Sequence, residues 1–165
     1  MAELTNLESK IGEVLGLAMA AQAATKKVEA LLGDDDPQLA KVLRGMREEA
    51  AETEQRCAEV AGTFEGRKTA ILEQARETKG EASEMMETYL GGSDVDALDG
   101  FEFLTMAEAG EVGHWSIVKK FNERAKIDAV QELAGWALPI QERHFQSALD
   151  GSLELAGEED PNEEA

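Results

Sequence analysis

The sequence predicts an all-α fold, a bundle of long helices, and three observations point there. Apolar residues recur at alternating steps of three and four along most of the chain. Ala, Glu, Leu and Met are abundant, while 165 residues hold only 3 prolines and 5% aromatics. The breaks in the periodicity are short runs of Gly, Asp and Pro, residues that end one helix and cap the next.

The first helix is expected from about Ala2 to Leu32. Its seam is Leu4, Leu7, Ile11, Val14, Ala18, Ala21, Thr25, Val28 and Leu32. Gly33 stops it, and Asp34-Asp35-Asp36-Pro37 supplies the next start, with Asp36 as N-cap and Pro37 in the first turn. So short a connection makes the first two helices antiparallel neighbours.

The second helix runs from Pro37 to about Ala61, with Leu39, Leu43, Met46, Ala50, Thr53, Cys57 and Val60 inward. Gly62 and Gly66 bracket a break around Phe64. The third, about Arg67 to Leu90, carries a thinner stripe of Ile71, Ala75, Ala82, Met85 and Tyr89. Gly91-Gly92-Ser93-Asp94 ends it.

A fourth helix follows, with Leu104, Ala107, Glu111, His114, Val118, Phe121 and Ala125 read as its seam. The fifth spans about Lys126 to Leu149 and presents Val130, Ala134, Ala137, Gln141, His144 and Ala148. Five segments exceed a simple up-down bundle of four. The count is resolved if the weakly striped third segment is a helical crossover between the second and third core helices. The bundle domain then covers residues 1–150. Residues 151–165, GSLELAGEEDPNEEA, read as an acidic disordered tail with too little apolar area to stay folded.

Composition narrows the partners. A formal charge of −19 and a pI of about 4.4 repel nucleic-acid phosphates. Most of that charge is read as solvated helix surface. No apolar run approaches the ~20 residues a bilayer requires. The acidic, amphipathic N-terminus has no basic region of the kind a secretory signal begins with. A single cysteine, Cys57, makes no intramolecular disulfide, so a cytoplasmic location is expected. With no histidine near it in sequence, Cys57 is read as a small buried hydrophobe.

The chemistry lies where polar residues fall on inward faces. Glu111 and His114 occupy seam positions of the fourth helix, and Gln141 and His144 repeat that spacing on the fifth. A buried carboxylate must be neutralised, hydrogen-bonded or bound to a cation. Glu and His three apart on an inward face is the spacing with which helix bundles hold metal ions. Glu49 and Glu52 lie beside the stripe of the second helix. Glu142 reaches the interior only if Pro139 turns the last helix. The first helix has no carboxylate between Glu13 and Glu29, only Gln22, so judged by spacing the site is partial. Two accounts of the cluster are open, a bound transition metal or an unmetallated polar layer that fixes helix register.

With these residues set out, the chain from about Pro37 to Leu149 resembles the ferritin-like superfamily, most nearly its YciF-like stress-response branch. PQLAKVLRGMREEAAETEQ is similar to that branch's Glu-rich second helix. FLTMAEAGEVGHWSIV and ELAGWALPIQERHF are similar to its last two, with His114-Trp115 matching a His-aromatic step. Gly113 and Ser116 stand where acidic residues flank that step in the branch, and Ala20 and Gln22 where a central Glu is expected. The resemblance implies a ferritin-like four-helix bundle and a site for iron or another transition metal. The ligands would come from Glu111, His114, His144, Glu49 and Glu52, with Gln141 and Glu142 beside them. Homodimers or larger homo-oligomers are the expected assemblies. A non-catalytic scaffold, docking through Leu153 and Leu155 of the tail, is the alternative.

Overall fold

The computed structural model describes residues 3–164. It is all-helical, with α1 Asn6–Leu32, α2 Pro37–Ala61, α3 Lys68–Leu90, α4 Ala97–Ala125 and α5 Asp128–Glu158. The expected start at Ala2 lies outside the described residues.

Local chemistry fixes the ends. Thr5 and Glu8 form a reciprocal capping box at the start of α1, and Asp96 and Asp99 do the same for α4. Asp36 accepts from the backbone N–H groups of Gln38 and Leu39, and Pro37 opens α2, as the sequence indicates. Between α4 and α5 the chain turns on Lys126, at a left-handed φ of 56°. The Asn122 side chain spans that turn, bonding both the N–H and the carbonyl of Ile127 at 3.0 and 3.1 Å.

Four helices form a ring in the order α1, α2, α5, α4, and α3 lies outside it, mainly along α1. The third helix therefore connects α2 to α4, which lie diagonally across the ring, from outside it. Its seat is made by Gly12 and Gly16, one turn apart on α1. A Cβ on Gly16 would stand 2.3 Å from the Ala75 carbonyl oxygen. Because α1 packs on both the ring and α3, it buries Gly12, Leu15 and Gly16 in addition to its predicted seam.

The interior is apolar at both ends and polar in the middle. One end holds Ile11, Cys57, Trp115, Val118, Val130 and Ala134, and the other Val28, Leu43, Phe101, Leu104 and Ala148. Burial of each large side chain contributes about 1.5–3 kcal/mol. Between the two, α4 presents Glu108 and Glu111 and α5 presents Gln141 and His144.

Two expectations are corrected. From Leu104 onward the buried positions of α4 are Leu104, Glu108, Glu111, Trp115, Val118 and Asn122. The seam thus steps four-three from Leu104, where three-four was expected. The two registers share Leu104, Glu111 and Val118 and differ between them. The observed one buries the Trp115 indole and leaves Phe121 exposed, a larger apolar gain than the alternative. At the C-terminus, α5 continues past Leu149 to Glu158, through most of the segment expected to be disordered. Gly151 lies against the Phe101 ring and Ser152 meets Thr105 at 3.0 Å, so this turn has partners in α4.

Among the described residues, no helix is long and apolar enough to cross a membrane.

Candidate metal centre

Three ring helices bring the polar side chains together. Glu108 and Glu111 are one turn apart on α4, 1% and 6% exposed. Gln141 and His144 hold the same relation on α5, facing them. Glu49 reaches in from α2, its Oε2 2.6 Å from His144 Nε2. Arg143 holds the other oxygen of Glu49.

A carboxylate accepts, so His144 Nε2 donates to Glu49. In the neutral ring Nδ1 then carries a lone pair, and that nitrogen lies 3.8 Å from Glu108 Oε2. The same oxygen accepts from Gln141 Nε2. Glu111 makes no side-chain hydrogen bond among the described residues, and neither it nor Glu108 meets a lysine or an arginine. Nearby, Gln22 of α1 donates to Glu54 of α2.

The electrostatics follow from this isolation. Burial holds the Glu108 carboxyl up to about 7, against the downward pull of the Gln141 bond. Burial, and then the charge of Glu108, pushes Glu111 well above the usual carboxylate range. Burial holds His144 below its ordinary value, opposed by the bond to Glu49. The Cys57 thiol is pushed far up, by burial first and then by the charges of Glu111 and Glu54, which leaves it an inert core group.

Of the seven residues expected at the site, Gln141, His144 and Glu49 come together around Glu108, and Glu111 lies one turn along α4 from that carboxyl. Three do not. His114 lies toward the surface between α4 and α1, its side chain 35% exposed, with Nδ1 3.1 Å from Glu13 and 3.4 Å from Lys10. The seam register is the reason, because Trp115 takes the inward position beside it. Glu52 is exposed and paired with Arg56 at 2.7 Å. Glu142 is exposed, since α5 runs through Pro139 unbroken and does not rotate it inward.

Sequence reasoning missed Glu108 and Glu54. Glu108 had a signal: Leu104, Glu108, Glu111, Trp115 and Val118 form a heptad run as regular as the one chosen. Among the described residues, no group of three or more His, Cys, Asp or Glu stands in position to hold a metal ion as it is. The donors are of the right chemical kind, carboxylates and an imidazole, but they are arranged as two separate hydrogen-bonded pairs, Glu49 with His144 and Gln141 with Glu108, with Glu111 outside both. Compared with family models, curated proteins and solved structures, the chain matches none.

Proposed function

We propose that this chain is a ferritin-like bundle protein that takes up a divalent transition metal, iron foremost, at the buried cluster of α4 and α5. One observation carries the proposal: two carboxyl groups, Glu108 and Glu111, are buried one turn apart with no lysine or arginine partner, and Glu108 faces an imidazole. Buried carboxylates without a cation keep their protons or leave the charge uncompensated, and a divalent ion removes both costs. The ring of four helices with an external third helix supports the ferritin-like assignment, which otherwise rests on the short motifs of α2, α4 and α5.

Glu108, Glu111 and His144 Nδ1 would hold the ion, and small side-chain rotations would bring them to it. Glu49 has the part of an orienting carboxylate. By accepting from Nε2 it fixes the tautomer that turns the Nδ1 lone pair toward Glu108. Gln141 steadies the Glu108 oxygen. A bound iron would supply redox chemistry with an open coordination position. The protein's own groups would set the access of water and the proton count of the site.

The test is elemental analysis of protein purified without chelator and incubated with iron, manganese or zinc. About one metal per chain is expected, lost in Glu108→Ala and His144→Ala and kept in His114→Ala. Less than about 0.2 per chain overturns the proposal, because three ligands that need only rotate onto the ion would fill once the metal is supplied.

A second account has its own support. Glu49 with His144, and Gln141 with Glu108, already satisfy one another, and α1 offers Ala18, Ala21 and Thr25 where a further ligand would stand. On that account the belt is a structural layer fixing helix register in a scaffold protein. It predicts no metal uptake and an equal or higher stability when Glu108 and Gln141 are both replaced by leucine.

A further inference from the structure

A cavity of about 580 Å³ opens between α1, α3 and α4 and runs inward to the acid pair. Small side chains on α1, Ala21 and Ala24 among them, leave the space, and Met85 and Met106 stand exposed at its mouth. Glu108 and Glu111 line its inner end. The volume is that of a small-molecule site and far exceeds what one metal ion requires.

We propose that this cavity binds a small organic cation, an ammonium group on a short apolar body, with the ammonium on the carboxylates of Glu108 and Glu111. Three features select that class. The walls are largely apolar, which suits a hydrocarbon body, and the two methionines are flexible enough to admit it. Glu111 is 6% exposed, lacks a side-chain partner among the described residues and lies on the cavity wall, so its carboxylate is the group a ligand would satisfy. Glu81 adds an acidic group at the opening, where Glu13 is paired with Lys10, and a protein of charge −19 draws cations toward it. An anionic ligand finds no opposite charge on the two acids, whether they are ionised or protonated. A neutral alcohol gains little from the pair.

The inference does not rest on metal uptake. Binding is measured on protein freed of metal by chelation, so failure of either proposal leaves the other standing.

Three probes of equal chain length separate the classes in isothermal titration calorimetry: hexylammonium, hexanoate and hexanol. Hexylammonium is expected to bind at a single site at least about tenfold more tightly than the other two, and Glu111→Gln to weaken it about tenfold. That substitution is nearly isosteric and removes a buried acid. If it disturbs the fold by circular dichroism, Glu108→Gln gives the same comparison. Hexanol binding as tightly as hexylammonium overturns the proposal. Hexylammonium binding that survives both substitutions also overturns it, because the acidic surface would then be the receptor, and so does the absence of binding.

Discussion

His144 Nδ1 and Glu108 Oε2 face each other across the bundle interior at 3.8 Å, with Glu49 fixing the far side of the imidazole and Gln141 steadying the carboxyl. The gap is too long for a hydrogen bond. Each partner is oriented toward the other by a third residue, so the stability of the interior depends on what neutralises Glu108.

The first prediction is a pH dependence with a definite sign. Burial raises the Glu108 carboxyl to about 7 from an ordinary 4.5, and Glu111 moves the same way. Between the unfolded and folded values the native state binds more protons, so stability is full at low pH and declines as pH rises through the folded value. His144 and His114, both lowered, act in the opposite sense below about 6.5. The decline is therefore read from about pH 6.5 to 8.5. Urea unfolding of metal-free protein should lose about 1 kcal/mol across that interval from Glu108 alone, and the Glu108→Gln, Glu111→Gln protein should be nearly flat.

The seam of α4 gives the second. Trp115→Ala should cost about 3–5 kcal/mol in urea unfolding, because it empties a fully buried site. His114→Ala should change stability by no more than about 1 kcal/mol, since it removes only a partly exposed pair with Glu13. The reverse ranking would restore the three-four register.

Close packing of α3 on α1 gives the third. Gly16→Ala should cost about 1–3 kcal/mol by thermal melting, because its methyl meets the backbone of Ala75. Gly45→Ala, in the middle of exposed α2 surface with open space around it, should gain about 0.5–1 kcal/mol. Equal effects at the two positions would mean that α3 does not rest on that patch.

The α4–α5 turn gives the fourth. Lys126 pays for a left-handed conformation that glycine adopts freely, so Lys126→Gly should raise stability by about 1 kcal/mol. Asn122→Ala should lower it by about 1–3 kcal/mol, leaving the N–H and carbonyl of Ile127 without their partner. Both are read from urea midpoints.

Much of the fold was legible in the sequence. Eight of the nine seam residues read for α1 are buried, from Leu7 to Leu32. Asp36-Pro37 marked a helix start because an Asp side chain accepts from the first free N–H groups and Pro fits the first helical turn. The site was legible only where the two seam registers coincide. Glu111 is inward in both, and Gln141 and His144 lie on a seam with no competing run. His114 and Glu108 are the residues on which the registers disagree, and spacing alone does not weigh an indole against an imidazole. Glu49 was found because it lies beside a clear stripe. Its choice over Glu52 was hidden, since it depends on where α5 places Arg143 and His144. The helical continuation to Glu158 depends on a Gly151–Phe101 contact between distant parts of the chain, and no local pattern encodes it.

An anomalous-scattering map of crystals grown with iron or manganese tests the central claim most directly. The account predicts a single strong peak between His144 Nδ1 and Glu108, about 2–2.3 Å from each, with Glu111 turned toward it and Glu49 still on Nε2. A map without a peak there, with the imidazole held only by Glu49, would contradict it and leave the belt as a structural layer.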